Sequence, residues 1–269
     1  MTRLTGSQNP LIKEVRALKS KSGREEKGLY LIEGIRFVTE ALKENIELRY
    51  VMFSETYLSD RGSQDLLRSI EESSLDSYVI PDSLFASISD TQTPQGILAI
   101  LNLERKQLKD TELAGELLVI LDTIKDPGNL GTIIRTADAA GCGGVIVPDG
   151  CVDVYNPKVL RSTMGSIFHV PVCHCSNIAE AMNTTRKCGF KLCASHLEGS
   201  ISIYDADLSG KVALIIGSEA EGIGDKTAEE ADILIRIPMG GRAESLNAAV
   251  AAGIMIFEAV RQRLCKNLW

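Results

Sequence analysis

The sequence predicts an α/β fold with a parallel sheet in its second half and a smaller α/β domain before it. In the second half, segments with helical periodicity separate four strongly apolar stretches, 117–121, 145–147, 212–216 and 233–237. This alternation is typical of a parallel sheet that is buried on both faces. In the first hundred residues, short strand and helix patterns also alternate, but the apolar runs are weaker.

The first elements follow from capping and periodicity. Asn9 and Pro10 indicate a helix N-cap followed by proline at the first helical position. Leu11, Val15 and Leu18 then recur at helical spacing. The later patterns predict strands at 29–32, 50–53, 77–80 and 96–101, with helices after Gly34 and over 64–71.

A polar, charged stretch after residue 101 predicts the boundary between the domains. We expect a first domain at 1–106, a linker at 107–115 and a second domain at 116–269. The last element is predicted as a helix over 245–264, because apolar residues repeat there at helical spacing.

The composition is that of an ordinary globular protein, with 44% hydrophobic and 24% charged residues. No apolar run approaches the ~20 residues of a membrane span, and the N-terminus lacks the apolar core of a signal peptide. We therefore expect a cytoplasmic protein without a membrane partner. The seven cysteines are an odd number, which favours reduced thiols. Cys173, His174 and Cys175 have no accompanying C-x2-C pair, so we expect a strand there and no metal.

Charge is distributed unevenly along the chain. The net charge of −7 argues against a nucleic-acid partner, since phosphate binding needs cations. Residues 1–36, however, hold eight basic and four acidic side chains. A basic end on an acidic body is compatible with a local polyanion contact and equally with an ordinary solvated helix face.

Three polar, glycine-rich turns follow predicted strands: the first turn at 122–131, the second turn at 217–222 and the third turn at 238–247. Ligands of open α/β sheets bind outside the carboxyl ends of strands, and glycine lets them approach main-chain amides. These turns predict a site built largely of main chain that suits a nucleoside-containing cofactor. The dinucleotide, P-loop and serine-hydrolase motifs are absent from the sequence.

Three runs that contain these turns resemble the signature motifs of the SpoU/TrmH family, a branch of the SPOUT methyltransferases. They read DTIKDPGNLGTIIRTADAAG (122–141), GSEAEGI (217–223) and IPMGGRAESLNAAVAAG (237–253). The N-terminal NPLIKEVRALKSK and GLYLIEGIRFVTEAL resemble the family's RNA substrate-binding domain, of L30e-like fold. The resemblance implies methyl transfer from S-adenosylmethionine to a ribose 2′-hydroxyl of structured RNA. It also implies a C-terminal trefoil knot and a homodimer with the cofactor site at the interface.

The resemblance also implies roles for individual residues. The catalytic candidates it indicates are Arg135, Asn129, Glu219, Ser245 and Asn247. The cofactor-binding candidates are Ser195, His196, Gly217, Ile237 and Leu246. For RNA binding, the basic N-terminal end and the segment between the first two motifs offer Lys13, Arg16, Lys19, Arg24 and Arg161. Arg161 has two interpretations, a phosphate contact or a pair with a nearby acid.

Two roles for Arg135 remain open. An arginine pKa of roughly 12.5–13.8 makes a poor base, so stabilisation of a developing alkoxide by the cation is favoured over proton removal. Arg135 lies off the apolar stripe of its predicted helix and is free to face a cleft. We expect the three turns to converge on one pocket with the guanidinium at its mouth.

Ribosomal RNA, 23S rRNA in particular, is the favoured substrate, and transfer RNA is the alternative. Two other classes remain: a nucleotide-dependent enzyme acting on small molecules, and an RNA-binding protein without catalytic activity. The basic N-terminal end disfavours the first. The combination of Asn129, Arg135 and Asn247 disfavours the second.

Overall fold

The computed structural model describes residues 1–59, 64–73, 75–197, 201–218 and 221–266. The chain divides into two compact units. The first unit comprises 1–104 and 155–168, and the second comprises 105–154 and 169–269.

The elements up to residue 102 are β1 (Thr2–Arg3), α1 (Pro10–Ala17), α2 (Lys21–Lys27), β2 (Leu29–Glu33), α3 (Ile35–Lys43), β3 (Leu48–Ser54), α4 (Glu55–Ser59), α5 (Gln64–Glu72), β4 (Ser77–Ile80), α6 (Asp82–Ile88) and β5 (Ile97–Asn102). Those that follow are β6 (Lys106–Gln107), β7 (Leu117–Asp122), α7 (Pro127–Ala139), β8 (Gly144–Pro148), α8 (Pro157–Thr163), β9 (Val172–Cys175), α9 (Ile178–Lys187), β10 (Lys191–Ser195), β11 (Ile201–Ser202), β12 (Val212–Gly217), α10 (Asp225–Glu230), β13 (Ile233–Arg236) and α11 (Ala248–Lys266). Short 3-10 turns lie at 108–110 and 166–168.

The first unit is built on a mixed five-stranded sheet in the order β1-β4-β3-β5-β2. Strand β5 runs antiparallel to both of its neighbours, while β1, β4 and β3 are parallel to one another. Asn9 caps α1 as expected, because its side chain accepts a hydrogen bond from the Leu11 amide. The predicted small α/β domain is therefore confirmed.

Residues 155–168 lie in the first unit, although the sequence assigned them to the second domain. Leu160 is fully buried in the core cluster of this unit. The rings of Tyr155 and Tyr30 are 4.7 Å apart, and those of Phe168 and Phe37 are 5.3 Å apart. Burial of these apolar side chains outweighs continuity along the chain, so this segment leaves the second unit between β8 and β9.

The second unit is built on an eight-stranded sheet in the order β11-β13-β10-β12-β7-β8-β9-β6. All neighbouring strands in it are parallel, which confirms the predicted fold class. Strand β6 pairs with β9 at one edge, and Leu108 after it is 1% exposed. The sequence predicted a linker at 107–115, but this stretch is part of the second unit because Leu108 is buried in its core.

Helix α11 begins at Ala248, three residues later than predicted. The Asn247 side-chain oxygen accepts hydrogen bonds from the amides of Ala249 and Val250, at 3.0 and 3.2 Å, and so caps the helix. The small side chains of α11 face inward, since Ala249 and Ala252 are buried and Gly253 lies against Thr136 of α7. No helix among the described residues is long and apolar enough to cross a membrane.

Candidate active site

A cavity of about 360 Å³ opens at the carboxyl ends of strands β10, β12 and β13. Its wall comes from the segments that follow these strands and from the first turns of α11. The wall includes all five residues predicted to bind cofactor, namely Ser195, His196, Gly217, Ile237 and Leu246. These residues meet at one cavity because the carboxyl ends of neighbouring parallel strands lie at one edge of a sheet, and their role in cofactor binding stays a prediction.

The second turn folds back tightly onto its own start. A Cβ atom added to Gly217 would lie 2.1 Å from the carbonyl carbon of Gly222, so only glycine fits there. Two backbone hydrogen bonds between Ser218 and Gly222, of 2.9 and 3.0 Å, close the turn. The main chain at Gly217, Ser218 and Gly222 therefore forms a hydrogen-bonded part of the cavity wall.

The described residues of the cavity wall include the acidic Glu221 but no lysine or arginine. Two alanines of α11, Ala248 and Ala251, also line the cavity and leave it room. The wall thus combines apolar side chains, main chain and a carboxylate.

The first turn meets the third turn through a pair of amide side chains. The Asp126 side chain caps α7 by accepting a hydrogen bond from the backbone amide of Asn129 at 2.8 Å. The buried Asn129 side chain in turn accepts a hydrogen bond from Nδ2 of Asn247, also at 2.8 Å. Because Asn247 caps α11, this bond joins the starts of the two helices that carry the first and third motifs.

Arg135 lies two turns beyond Asn129 on α7, and its side chain is exposed. None of the described residues forms a hydrogen bond or ion pair with it. The guanidinium is not part of the cavity wall of its own chain, which the second and third turns form together with 195–197. The expectation that all three turns line one pocket with Arg135 at its mouth is therefore only partly met. Six helical residues separate Arg135 from Asn129, a rise of about 9 Å.

The remaining catalytic candidates differ in what the structure shows of them. Ser245 lines the cavity and is exposed. Glu219 lies outside the described residues. Asn247, in contrast, is held by its capping bonds and by Asn129, as described above.

Among the proposed RNA contacts, the prediction for Arg24 is wrong. Its side chain is 2% exposed, and the guanidinium donates hydrogen bonds to the carbonyl oxygens of Leu18 and Lys19, at 2.8 and 3.2 Å. Arg24 therefore provides hydrogen-bond donors for backbone carbonyls after the end of α1 instead of facing solvent. Its position three residues after the Lys21 start of α2 did not reveal this, because the packing of α1 on α2 is a tertiary contact.

The other four basic side chains remain accessible to different degrees. Lys13 is exposed on α1. Arg16 donates to the Ser87 hydroxyl at 3.1 Å, and Lys19 to the carbonyl of Ser89 at 2.7 Å, so both are tied to the end of α6. Of the two interpretations of Arg161, the structure shows the ion pair, with Asp90 at 2.9 Å.

The Cys-His-Cys sequence lies in β9, with Cys173 and Cys175 buried. Burial raises the pKa of Cys175 to about 12, with a contribution from nearby Glu180. A buried thiol of this kind stays protonated near neutral pH, which matches the strand interpretation of the sequence.

A parallel sheet with a cavity built by the turns at its carboxyl ends defines the second unit as an α/β ligand-binding domain of enzyme type. Comparison with known proteins identifies it further. Residues 116–257 match the model of the SpoU rRNA methylase family, and residues 9–99 match an MRM3-like substrate-binding domain. The chain belongs to the SpoU rRNA methylase family of S-adenosylmethionine-dependent methyltransferases.

Two relatives and one solved structure match this chain over more than nine tenths of its length. The 23S rRNA (guanosine(2553)-2′-O)-methyltransferase RlmP of Bacillus subtilis is 33% identical, over 96% of this chain and 98% of its own. A 23S rRNA (uridine(2479)-2′-O)-methyltransferase of Streptomyces viridochromogenes is 30% identical, over 92% of this chain and 88% of its own. The AdoMet-bound rRNA methyltransferase of Sinorhizobium meliloti superimposes with a TM-score of 0.86 at 34% identity, covering 97% of each chain.

Proposed function

We propose that this protein transfers a methyl group from S-adenosylmethionine to a ribose 2′-hydroxyl of 23S rRNA. One observation carries the proposal. The cavity of the second and third turns is joined, through the bond between Asn247 and Asn129, to the helix that bears Arg135, which has no ion pair within the described part of the chain. The family membership and the names of the relatives support the same reaction.

The cavity fits the cofactor in size and charge. Its volume falls within the ~300–1,000 Å³ common for small-molecule sites. When bound there, S-adenosylmethionine supplies an electrophilic methyl group on a positively charged sulfur. Glu221 complements that charge, whereas a ligand with a diphosphate would meet no lysine or arginine among the described wall residues. Gly217 lines the cavity without a side chain, so an adenosine can approach the main chain there.

We assign Arg135 to the ribose oxygen. Transfer requires that oxygen about 3–3.5 Å from the methyl carbon and in line with the departing sulfur. A guanidinium without a competing ion pair among the described residues is available to stabilise the negative charge that develops on the ribose oxygen as the hydroxyl proton passes to solvent water and the methyl–sulfur bond breaks. Proton removal by a neutral arginine is the alternative role. Asn129 and Asn247 would hold the start of α7, and so the arginine, in register with the third turn.

We further propose that the active form is a homodimer with the cofactor site at its interface. Val250, Phe257 and Leu264 recur every seven residues on α11 and are 51%, 48% and 61% exposed. A second copy that covers this stripe would remove large apolar side chains from water. In such a dimer, Arg135 of one copy can approach the cavity of the other, which accounts for its position away from its own cavity. The trefoil knot stays a prediction.

The first unit is the part that we expect to bind RNA, with Lys13 as its exposed basic candidate on α1. Ribosomal RNA is favoured over transfer RNA because both full-length relatives named above act on 23S rRNA. Those relatives modify guanosine and uridine respectively, so the base of the target nucleotide is left open. The cytoplasm is the compartment that such a substrate implies.

The test is transfer of tritiated methyl from S-adenosylmethionine to purified rRNA and tRNA. We expect label in rRNA, recovered after alkaline hydrolysis in an uncleaved dinucleotide, because a 2′-O-methyl group blocks cleavage. Arg135→Ala should abolish transfer while Arg186→Ala, an exposed arginine on α9, retains it. Label on a base, or full activity of Arg135→Ala, would refute the proposal. Label in tRNA alone would favour the alternative substrate, and absence of label would favour an RNA-binding protein.

A further inference from the structure

Asp122 is a buried carboxylate that the reaction itself does not use. It ends β7 and lies opposite Gly217 in the register of β7 with β12. Asp122 is only 7% exposed to solvent. Oxygen Oδ2 accepts hydrogen bonds from the Gly224 amide at 3.0 Å and from the Thr227 hydroxyl at 2.9 Å. The other oxygen, Oδ1, accepts from the Thr123 hydroxyl at 3.1 Å.

These bonds connect the first motif with the far end of the second turn. Gly222 and Ile223 line the cavity, and Gly224 follows them directly. Gly224 is also the N-cap of α10 and has no side chain that could accept hydrogen bonds from the free backbone amides there. The carboxylate of Asp122 takes over that capping function from a strand about a hundred residues earlier in the chain.

The second turn is therefore held at both ends by the same residue. At its start, Gly217 pairs with Asp122 along the sheet, and at its end, Gly224 and Thr227 bind the Asp122 side chain. Between these points two backbone hydrogen bonds join Ser218 to Gly222. Loss of the carboxylate contact would free one end of a segment that forms the cavity wall.

We propose that Asp122 is a positioning residue that fixes the second turn for cofactor binding, with Thr227 as its partner. The identity of the cofactor as S-adenosylmethionine rests on the function proposed above. Asp122 is not among the described residues that line the cavity. It sets the place of the main chain that does, so its effect falls on cofactor affinity and not on turnover with saturating cofactor.

Thr227 offers the cleanest perturbation. It is 2% exposed, and Thr227→Val removes the hydroxyl that binds Asp122 while keeping side-chain volume. Thr227→Ser returns a hydroxyl. Thr185→Val on α9 is the matched control, because Thr185 is also buried, lies in the same unit and donates only to the Ala181 carbonyl of its own helix.

The experiment measures the dissociation constant of the full-length chain for S-adenosylmethionine by isothermal titration calorimetry, alongside the thermal unfolding midpoint. A hydrogen bond to a charged acceptor is lost, so we expect about a tenfold higher dissociation constant for Thr227→Val. Thr227→Ser should bind within about twofold of wild type, and Thr185→Val should bind like wild type even if its unfolding midpoint falls. At saturating cofactor, the turnover of Thr227→Val should stay within about twofold.

A second substitution guards against a variant that does not fold. Asp122→Asn keeps the shape of the side chain but removes its charge, and it should also weaken cofactor binding. The double variant with Asp122→Asn and Thr227→Val should have a dissociation constant for the cofactor no higher than that of the single variant that binds less tightly. Both changes break the same contact, so their effects should not add.

Unchanged cofactor affinity in Thr227→Val and Asp122→Asn, with wild-type binding intact, would overturn the positioning role alone. Equal weakening by Thr185→Val would also overturn it, since it would show a general effect of stability. A wild-type chain that binds no S-adenosylmethionine would overturn the proposed function and this inference together.

Discussion

The closure of the second turn makes Gly217→Ala the sharpest test of the site. The added methyl carbon would lie 2.1 Å from the Gly222 carbonyl carbon, where ordinary contacts begin at 3.4 Å. The turn must therefore shift by about 1.3 Å, or the strand end must distort. Overpacking costs about 1–3 kcal/mol, and the two bonds between Ser218 and Gly222 add about 0.5–1.5 kcal/mol each if they break.

This cost should appear mainly as weaker cofactor binding, because the displaced backbone is the cavity wall. If about 2 kcal/mol of it is felt by the ligand, the dissociation constant for S-adenosylmethionine rises about 30-fold. Isothermal titration calorimetry with the purified protein measures this directly, and circular dichroism checks that the variant is folded.

Two other glycines provide controls for the same substitution. Gly222→Ala places its Cβ in open space but at a φ of +68°, which costs about 1–2 kcal/mol in backbone strain. Gly210→Ala meets neither a close atom nor a positive φ. We expect affinity to fall most for Gly217→Ala, less for Gly222→Ala and not at all for Gly210→Ala. Wild-type affinity in Gly217→Ala would refute the account of the cavity wall.

Four further predictions concern stability, RNA binding and assembly. Arg24→Ala should lower the free energy of unfolding in urea by about 2–4 kcal/mol, since it leaves the buried carbonyl of Leu18 and the partly buried carbonyl of Lys19 without their charged donor. Lys13→Ala should leave that stability within about 0.5 kcal/mol and weaken only RNA binding, as a filter-binding assay would show. Phe257→Glu should halve the mass measured by light scattering, and an unchanged mass would exclude α11 from the dimer interface. Burial raises the pKa of Cys193 to about 11 and that of Cys175 to about 12, whereas unfolded thiols ionise near pH 8.5. The folded state thus keeps these protons longer, so stability should be full below pH 8.5 and fall as pH rises toward 11, with a shallower fall in Cys193→Ala.

The strands with strong apolar runs were predictable to within one or two residues. The predicted strand at 77–80 is Ser77–Ile80, and that at 212–216 is Val212–Gly217. Strand β10, in contrast, was not predicted, because its five residues begin with Lys191 and carry a cysteine and a serine. Its strand conformation depends on pairing with β12 and β13 on either side.

The cofactor-binding candidates were easier to place than the catalytic and RNA-binding ones. A residue that ends a parallel strand or directly follows it must lie at the carboxyl edge of the sheet, so Ser195, Gly217 and Ile237 reach one cavity whatever the details of packing. The position of Arg135 is not constrained in this way, because it depends on the direction in which α7 runs after its first turn. Arg24 was misjudged for the related reason that charge does not report which face of a helix is covered.

The sequence by itself determined the α/β class, the parallel sheet, the three turns and the family, because these depend on periodicity and on residues close together in the chain. Only the tertiary structure decided that 155–168 joins the first unit, that Asn247 caps α11 and binds Asn129, and that Asp122 holds Gly224 and Thr227. The side-chain contacts of Asn129 with Asn247 and of Asp122 with Gly224 and Thr227 join residues more than a hundred positions apart in the chain. The local pattern around either partner carries no record of the other, so only the packed chain brings them together.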